Sequence, residues 1–187
     1  MKFYLTNQSK YFSEHLKFLK KQNIIHYDIS QLTEKTTIIP IDTAKSLKEI
    51  DLTFFFDYKI FPDNIMIYLT ELNYEKREMK VGDTIVQQAF IPPFHRLSQK
   101  IIFGVRINKI IHETSRIGYS YETIKGHVEK GILTFTFEMT SNNNVIFKIH
   151  TFSKPGNLLA RIAGPILSVP YQAFCTKQGL KNVANRF

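Results

Sequence analysis

The sequence is short of several residue types, and each shortage excludes a class of protein. Cys175 is the single cysteine, so no intrachain disulfide can form, and no spacing of cysteine and histidine is typical of a zinc site. The N-terminal MKFYLTNQSK lacks the apolar run of a signal peptide, and LLARIAGPILSVP is interrupted by Arg161 and two prolines. We therefore expect a cytoplasmic protein with no transmembrane segment, no metal and no cofactor.

Acidic residues are also scarce relative to basic ones. The chain has 25 Lys+Arg against 16 Asp+Glu, a formal net charge of +9. An excess of this size favours anionic partners. However, the positive residues are scattered, with no arginine-rich tract and no aromatic-basic motif of an RNA-binding module. A generic basic surface, able to contact acidic lipid, is a better interpretation than a nucleic-acid site.

What the chain does contain is a globular composition. Of 187 residues, 43% are hydrophobic and 13% aromatic, which suits one domain with a sizeable core. Residues 1–50 differ from the rest of the chain in their pattern of apolar and polar residues. There SKYFSEHLKFLKKQ places Phe12, Leu16 and Leu19 on one face and predicts a helix, while IHYDISQL and TTIIPID predict small strands or connectors. We expect an N-terminal extension over 1–50, packed on a main domain over 51–187.

The main domain is predicted to be α+β. LTFFFDYKIF, bounded by Pro62, predicts a strand, and PDNIMIYLTEL predicts a helix with Ile65, Tyr68, Leu69 and Leu72 on one face. Five antiparallel strands and a long terminal helix beginning near 158 follow. Pro165 and Pro170 should kink or break that helix. The five strand segments are DTIVQQAFI, IIFGVRINKIIHE, RIGYSYETI, GILTFTFEM and NVIFKIHTF.

Several motifs in one order carry a family resemblance. They are YEKREMKVGDTIV, FGVRIN, IGYSYETIKGHVEKGILTFTFEM, TFSKPGNLLARIAGPI and the later Tyr171-Gln172. Together, over roughly residues 54–183, they resemble a bacterial and plant family known as domain of unknown function nineteen-ninety. The matching positions are Gly118, Tyr119, Tyr121, Thr123, Gly126, His127, Glu129, Gly131, Phe135, Phe152, Ser153 and Pro155.

The resemblance implies a fold rather than an activity. The family is similar to the helix-grip superfamily of START domains, pollen allergens and polyketide cyclases, in which a curved antiparallel sheet wraps a long C-terminal helix and commonly holds hydrophobic ligands. This sequence departs from the family pattern where Ile132 and Leu133 replace two glutamates, so chemistry that depends on those glutamates is not expected here. Glu122, Lys125 and Lys154 are further departures.

His127, in the turn GHVEKG, is the most interesting ionisable residue. Histidine titrates near neutral pH, and at the mouth of a pocket it could act as acid or base. The alternative is a turn histidine that bonds a nearby backbone carbonyl, with Gly126 and Gly131 supplying the turn geometry. We favour the turn, because no orienting carboxylate is identifiable from spacing.

Other candidates lie on the predicted strands. Tyr119 and Tyr121 share one face and could offer hydroxyls to a ligand, or could simply pack in the sheet. Arg106 could clamp a carboxylate, or could pair with Asp83 or Glu122. A set of phenylalanines is expected to face the terminal helix as core, and could also form the wall of a ligand site. This set is Phe135, Phe137 and Phe147.

Three functions follow from these residues. The favoured one is binding of a small hydrophobic or amphipathic molecule between the sheet and the terminal helix. The second is an enzyme of cyclase, dehydratase or hydrolase type, with His127 as general acid or base. The third is a module that binds another protein or an anionic surface. His112 and His150 are expected on the solvent side of their strands, outside any site.

Overall fold

The computed structural model describes residues 2–91, 98–156 and 169–187. These residues form an α+β structure with one large antiparallel sheet and a C-terminal helix. The strands are β1 (Lys2–Tyr4), β2 (Thr33–Pro40), β3 (Met66–Thr70), β4 (Thr84–Ile91), β5 (Gln99–Glu113), β6 (Arg116–Thr123), β7 (Glu129–Met139) and β8 (Val145–Pro155). The helices are α1 (Phe12–Lys20), α2 (Thr53–Phe56), α3 (Glu71–Glu75) and α4 (Val169–Ala184).

The described strands form one eight-stranded sheet in the order β2-β8-β7-β6-β5-β4-β3, with β1 paired to β5 beyond the end of β6. Each predicted strand from 83 to 152 is present as one of β4 to β8. In β7, Phe135 and Phe137 are fully buried on one face. A turn at 141–144 joins β7 to β8, with Asn143 at φ 59° as its left-handed residue.

Two predicted elements are wrong, and both lie between β2 and β4 in the chain. LTFFFDYKIF is not a strand, because Thr53–Phe56 forms the short helix α2 and turns follow it. The predicted helix over PDNIMIYLTEL is instead the edge strand β3 followed by the short helix α3. The hydroxyl of Thr70 at this junction accepts the backbone N–H of Asn73 at 3.1 Å and caps α3.

One face of the sheet is covered by α1, and we call it the α1 face. Phe12, Leu16 and Leu19 are buried there, as the helical spacing predicts. They pack with Val86, Ile102 and Ile124. Gly104 allows this approach, because a Cβ at that position would lie 2.9 Å from Leu19. The first fifty residues thus contribute α1 to this face and the strands β1 and β2 to the sheet.

The opposite face carries the main core, and we call it the α4 face. The last turns of α4 pack there through Leu180 and Val183. The start of α4 is held by the hydroxyl of Tyr171, which donates to the backbone oxygen of Phe90 at 2.6 Å. The earlier part of the predicted terminal helix, including its kink at Pro165, lies outside the described residues. Among the described helices, none is long and apolar enough to cross a membrane.

Candidate functional site

The α4 face has two ends of different character. At the end we call the closed end, aromatic side chains fill the space over the sheet. Phe55 of α2 lies 4.8 Å from the ring of Tyr119, 5.2 Å from that of Phe137 and 5.9 Å from that of Phe147. All four side chains are fully buried, and so is Phe135. The closed end is therefore packed core.

The phenylalanines share one core cluster with Leu180 and Val183 of the terminal helix. At Phe135 a further residue intervenes, because the ring of Phe61 lies 6.4 Å from that of Phe135 and 3.0 Å from where a Cβ of Gly179 would stand. The side chain of Asn182 donates to the backbone oxygen of Ile60 at 2.9 Å. The aromatic-rich segment before Pro62 is therefore not a strand of the sheet. Its residues after α2 form a layer between α4 and part of the sheet.

Tyr119 has one unusual feature in this cluster. Its side chain is fully buried, yet its hydroxyl has no hydrogen-bond partner among the described residues. Burial raises the pKa of Tyr119 well above its ordinary value. A buried hydroxyl without a partner loses its water bonds without replacement, so this group does not stabilise the fold.

The other end of the α4 face, which we call the polar end, contains Tyr121, Gln87, Phe103, His127 and Glu129. Gln87 is 1% exposed, and its amide donates to the hydroxyl of Tyr58. Tyr58 is in turn hydrogen-bonded to Tyr121. Gln87 also pairs with Phe103 in the β4–β5 register. A connected set of buried polar groups therefore crosses three elements at this end.

His127 joins this end through its ring. The imidazole lies 4.5 Å from the ring of Phe103 in an edge-on contact. Its Nδ1 lies 3.0 Å from the backbone nitrogen of Glu129 and 3.1 Å from the backbone oxygen, so it accepts the N–H in one tautomer and donates to the carbonyl in the other. Burial lowers the pKa of His127 to about 4, so the ring is neutral at pH 7.

Glu129 begins β7 and faces the same side as Gly131 and Leu133, because alternate strand residues share a face. Burial raises the pKa of its carboxyl to about 7. Burial raises the pKa of Tyr121, and the charge of Glu129 raises it further. The spacing in GHVEKG had not identified this carboxyl as part of a site. The structure brings it together with His127 and Tyr121.

The apolar side chains around the polar end are only partly covered. Leu133 pairs with Tyr121 across β6 and β7 and is half-buried. Met66 and Tyr68 of β3 are also half-buried. By contrast, the phenylalanines of the closed end are fully buried. The polar end therefore combines ionisable groups with an apolar wall that keeps some access.

Arg106 lies apart from these groups. Its neighbours in β5, Val105 and Ile107, belong to the core of the α4 face, so Arg106 faces α1. Its guanidinium donates to the backbone oxygens of Leu19 at 3.2 Å and Lys20 at 3.0 Å, which end α1. Arg106 thus caps a helix, and the structure does not bring it to the tyrosines.

The acidic partners considered for Arg106 are bound elsewhere. Asp83 accepts two hydrogen bonds from Arg77, at 2.7 and 2.8 Å. Glu122 accepts the hydroxyl of Tyr27 at 2.5 Å. The predicted pairing with Asp83 or Glu122 is therefore wrong.

Two other places were candidates for chemistry. His112 is exposed and stacks on Phe56, and His150 is half-buried and lies 2.7 Å from Glu34, so both lie outside the polar end. A surface depression of about 360 Å³ is lined by charged and polar side chains that pair with neighbours. Its lining residues are Glu113, Ser115, Arg116, Glu138 and Met139. Among the described residues, no group of three or more potential ligands could hold a metal ion.

Gln87 and Tyr58 were not among the candidates from the sequence, and only Gln87 could have been recognised there. Gln87 and Gln88 are adjacent in a strand that is otherwise apolar, and a glutamine pair in such a strand needs partners. Gln88 accepts the backbone N–H of Gln8 at 2.7 Å on the α1 face, while Gln87 bonds Tyr58 on the α4 face. Tyr58 carried no comparable signal.

Comparison with known proteins identifies the family. The chain belongs to the family described as Domain of unknown function (DUF1990), whose sequence profile matches residues 57–181. The matched region agrees with the resemblance over 54–183 and contains every residue of the polar end. No match was found among curated proteins.

Proposed function

We propose that this chain binds a small amphipathic molecule at the polar end of the α4 face, between the sheet and the first turns of α4. The observation that carries the proposal is the contrast between the two ends. The closed end is filled by aromatic side chains, whereas the polar end combines half-buried Leu133, Met66 and Tyr68 with buried hydrogen-bonding groups. Ligand sites are typically apolar surfaces with a few polar groups that fix orientation.

The polar groups favour a ligand with a small polar head. Tyr121 and Gln87 are already hydrogen-bonded to Tyr58, and they would hold their positions before a ligand arrives. His127 is neutral at pH 7, so one ring nitrogen donates and the other accepts, and Glu129 is partly protonated near pH 7. Leu133, where the family usually has a glutamate, makes this wall apolar.

A helix-grip fold is part of the proposal. It is supported by the antiparallel sheet and by α4, which is anchored at Phe90 near its start and packs through Leu180 and Val183 near its end. A cytoplasmic location likewise remains an expectation from the single cysteine, Cys175.

Native mass spectrometry of gently purified protein tests the proposal directly. We expect a bound mass in the native sample that is released on denaturation. The variant Tyr121→Phe should lower ligand occupancy, whereas Tyr74→Phe, at a tyrosine that is 50% exposed, should leave it unchanged. A clean apo mass, together with no thermal shift on addition of medium-chain fatty acids or fatty alcohols, would contradict binding at the polar end.

A second candidate function is catalysis at the same groups. The specific observation is that the pKa of Glu129 is raised to about 7, which suits a general acid or base near neutral pH. His127, with a pKa of about 4, would act as a neutral partner. For an enzyme, Glu129→Gln or His127→Ala should lower turnover by orders of magnitude while ligand affinity is retained. For a binder, no substrate conversion is expected with either variant or with the wild type.

A further inference from the structure

The exposed side of α1 carries lysines together with aromatic side chains. Phe12, Leu16 and Leu19 face the sheet, so the residues at intervening helical positions face outward. Phe18 is 54% exposed and Tyr11 is 42% exposed. We call this group, with one lysine from a neighbouring turn, the lysine patch. It consists of Lys10, Tyr11, Lys17, Phe18, Lys21 and Lys125.

The structure fixes several members of the patch. The ammonium of Lys10 lies 4.8 Å from the centre of the Tyr11 ring. The backbone N–H of Lys125 donates to the oxygen of Asn23 at 2.9 Å, which places Lys125 beside the residues that follow α1. Arg106 holds the C-terminal end of α1 on the sheet. Lys17 therefore lies in a helix that is held on the sheet, and Lys10 and Lys21 lie close to its two ends.

The charge of the patch is strongly positive. Lys10, Lys17, Lys21 and Lys125 are all exposed, and Glu14 on the same side supplies one opposing charge. Lys20 lies 2.5 Å from Glu71 and is left out of the patch for that reason. The net charge of +9 for the whole chain adds to the same attraction.

Apolar side chains lie beside these charges. Leu5 is 83% exposed and follows Tyr4, whose ring lies 5.8 Å from that of His15 in α1. Leu5 thus follows a residue that contacts α1, and Phe18 lies in α1 next to Lys17. Lysines that surround exposed aromatic and aliphatic side chains are the pattern of a surface that rests on a lipid headgroup layer.

We infer that the lysine patch docks the chain on bilayers that contain anionic lipids. Charge complementarity selects this partner, because the four lysines face phosphate and carboxylate groups at the bilayer surface while Phe18 and Leu5 enter the interface. Nucleic acid fits less well, since the patch contains no arginine to form bidentate contacts with phosphate. This inference does not depend on a ligand at the polar end.

Co-sedimentation with vesicles tests the inference. The full chain is mixed with phosphatidylcholine vesicles, with and without about a third phosphatidylserine, in 0.1 M salt. We expect binding to the anionic vesicles only, weakening as salt rises. Each lysine near such a surface changes partitioning by about fivefold, so Lys17→Ala/Lys21→Ala should lower it about 25-fold. The control Lys45→Ala/Lys48→Ala removes the same charge from exposed positions outside the patch.

Each outcome decides the matter. Loss of binding in the patch variant but not in the control supports docking, and a further loss in Phe18→Ala supports entry of that ring. No binding to anionic vesicles at low salt overturns the inference. So does an equal loss in both double variants, which would indicate net charge alone. Displacement of vesicles by a short RNA that binds through the same lysines would assign the patch to nucleic acid instead.

Discussion

The polar end makes a specific prediction about stability and pH. Burial raises the pKa of Glu129 from 4.5 to about 7 and lowers that of His127 from 6.5 to about 4. A change of one pKa unit corresponds to about 1.4 kcal/mol, so each shift corresponds to about 3 kcal/mol between its two limits of pH. The two residues affect stability in opposite directions.

The signs follow from proton binding. Glu129 binds its proton more tightly in the folded state, so its contribution to stability is fully present below pH 4.5 and is lost as pH rises through about 7. His127 binds its proton more weakly in the folded state, so its contribution is fully present above pH 6.5 and is lost as pH falls through about 4. Between pH 4.5 and 6.5 the two slopes oppose each other in the wild type.

Single variants should separate the two opposing dependences of the free energy of unfolding on pH. In Glu129→Gln only the histidine of this pair titrates, and its contribution to the free energy of unfolding should rise by about 3 kcal/mol from pH 4 to 6.5. In His127→Asn, whose amide oxygen can still accept the backbone N–H of Glu129, it should fall by about 3 kcal/mol from pH 4.5 to 7.

Urea denaturation at several pH values measures these slopes. Unfolding is followed by far-ultraviolet circular dichroism, since the chain contains no tryptophan. Exposed Glu78→Gln serves as the control for a change of one charge and should retain the wild-type slope. If Glu129→Gln and His127→Asn both show the same pH dependence as the wild type, the two groups are not buried as described. The shifted pKa values inferred for the polar end would then be refuted.

Three further predictions concern stability. Gly131→Ala should destabilise the fold by about 3 kcal/mol or more, because its Cβ would lie 1.9 Å from a backbone oxygen of β8. In the control Gly82→Ala the Cβ meets no atom within 4 Å, so only about 1 kcal/mol of backbone strain is expected. Tyr119→Phe should be neutral or stabilising by up to about 1 kcal/mol. Tyr58→Phe should destabilise by about 1 to 2 kcal/mol, because it removes a buried hydrogen bond from the Gln87 amide. Arg77→Met should destabilise by about 3 kcal/mol, because its buried carboxylate partner loses two hydrogen bonds. Denaturation midpoints measured in parallel check all three.

The sequence predicts elements well where one face is buried and periodic. In β7, Phe135 and Phe137 alternate with polar residues, and in α1 the apolar residues recur at helical spacing, so both elements are present as expected. The segment Thr53–Phe56 has no period, since three consecutive phenylalanines fit strand and helix equally. Its structure is set by contacts with distant strands, which the local pattern does not contain.

The edge strand β3 was missed for a different reason. Ile65, Tyr68, Leu69 and Leu72 fit helical spacing by coincidence, because β3 ends at Thr70 and a short helix follows at once. An edge strand that is half-buried along most of its length lacks the strict alternation that would have identified it.

The residues of the polar end were likewise only partly predictable from the sequence, because contacts between distant residues define the site. His127 and Tyr121 were candidates from the sequence, but the bond between Gln87 and Tyr58 joins residues 29 positions apart. The raised pKa of Glu129 depends on burial, which the turn motif alone does not specify. Arg106 was misplaced because strand alternation could not show that α1 would cover its face.

The boundary of the family region separates Phe55 from the polar end. Every polar-end residue, together with Tyr58, lies within the matched residues 57–181. Phe55, which fills the closed end, lies before that region and belongs to α2. Phe55 is thus supplied from outside the family match, while Phe61, the phenylalanines of the strands and the ionisable groups are supplied by the family domain itself. The pH slopes expected for Glu129→Gln and His127→Asn therefore test a property of the family domain, and they do so independently of how this chain closes the other end.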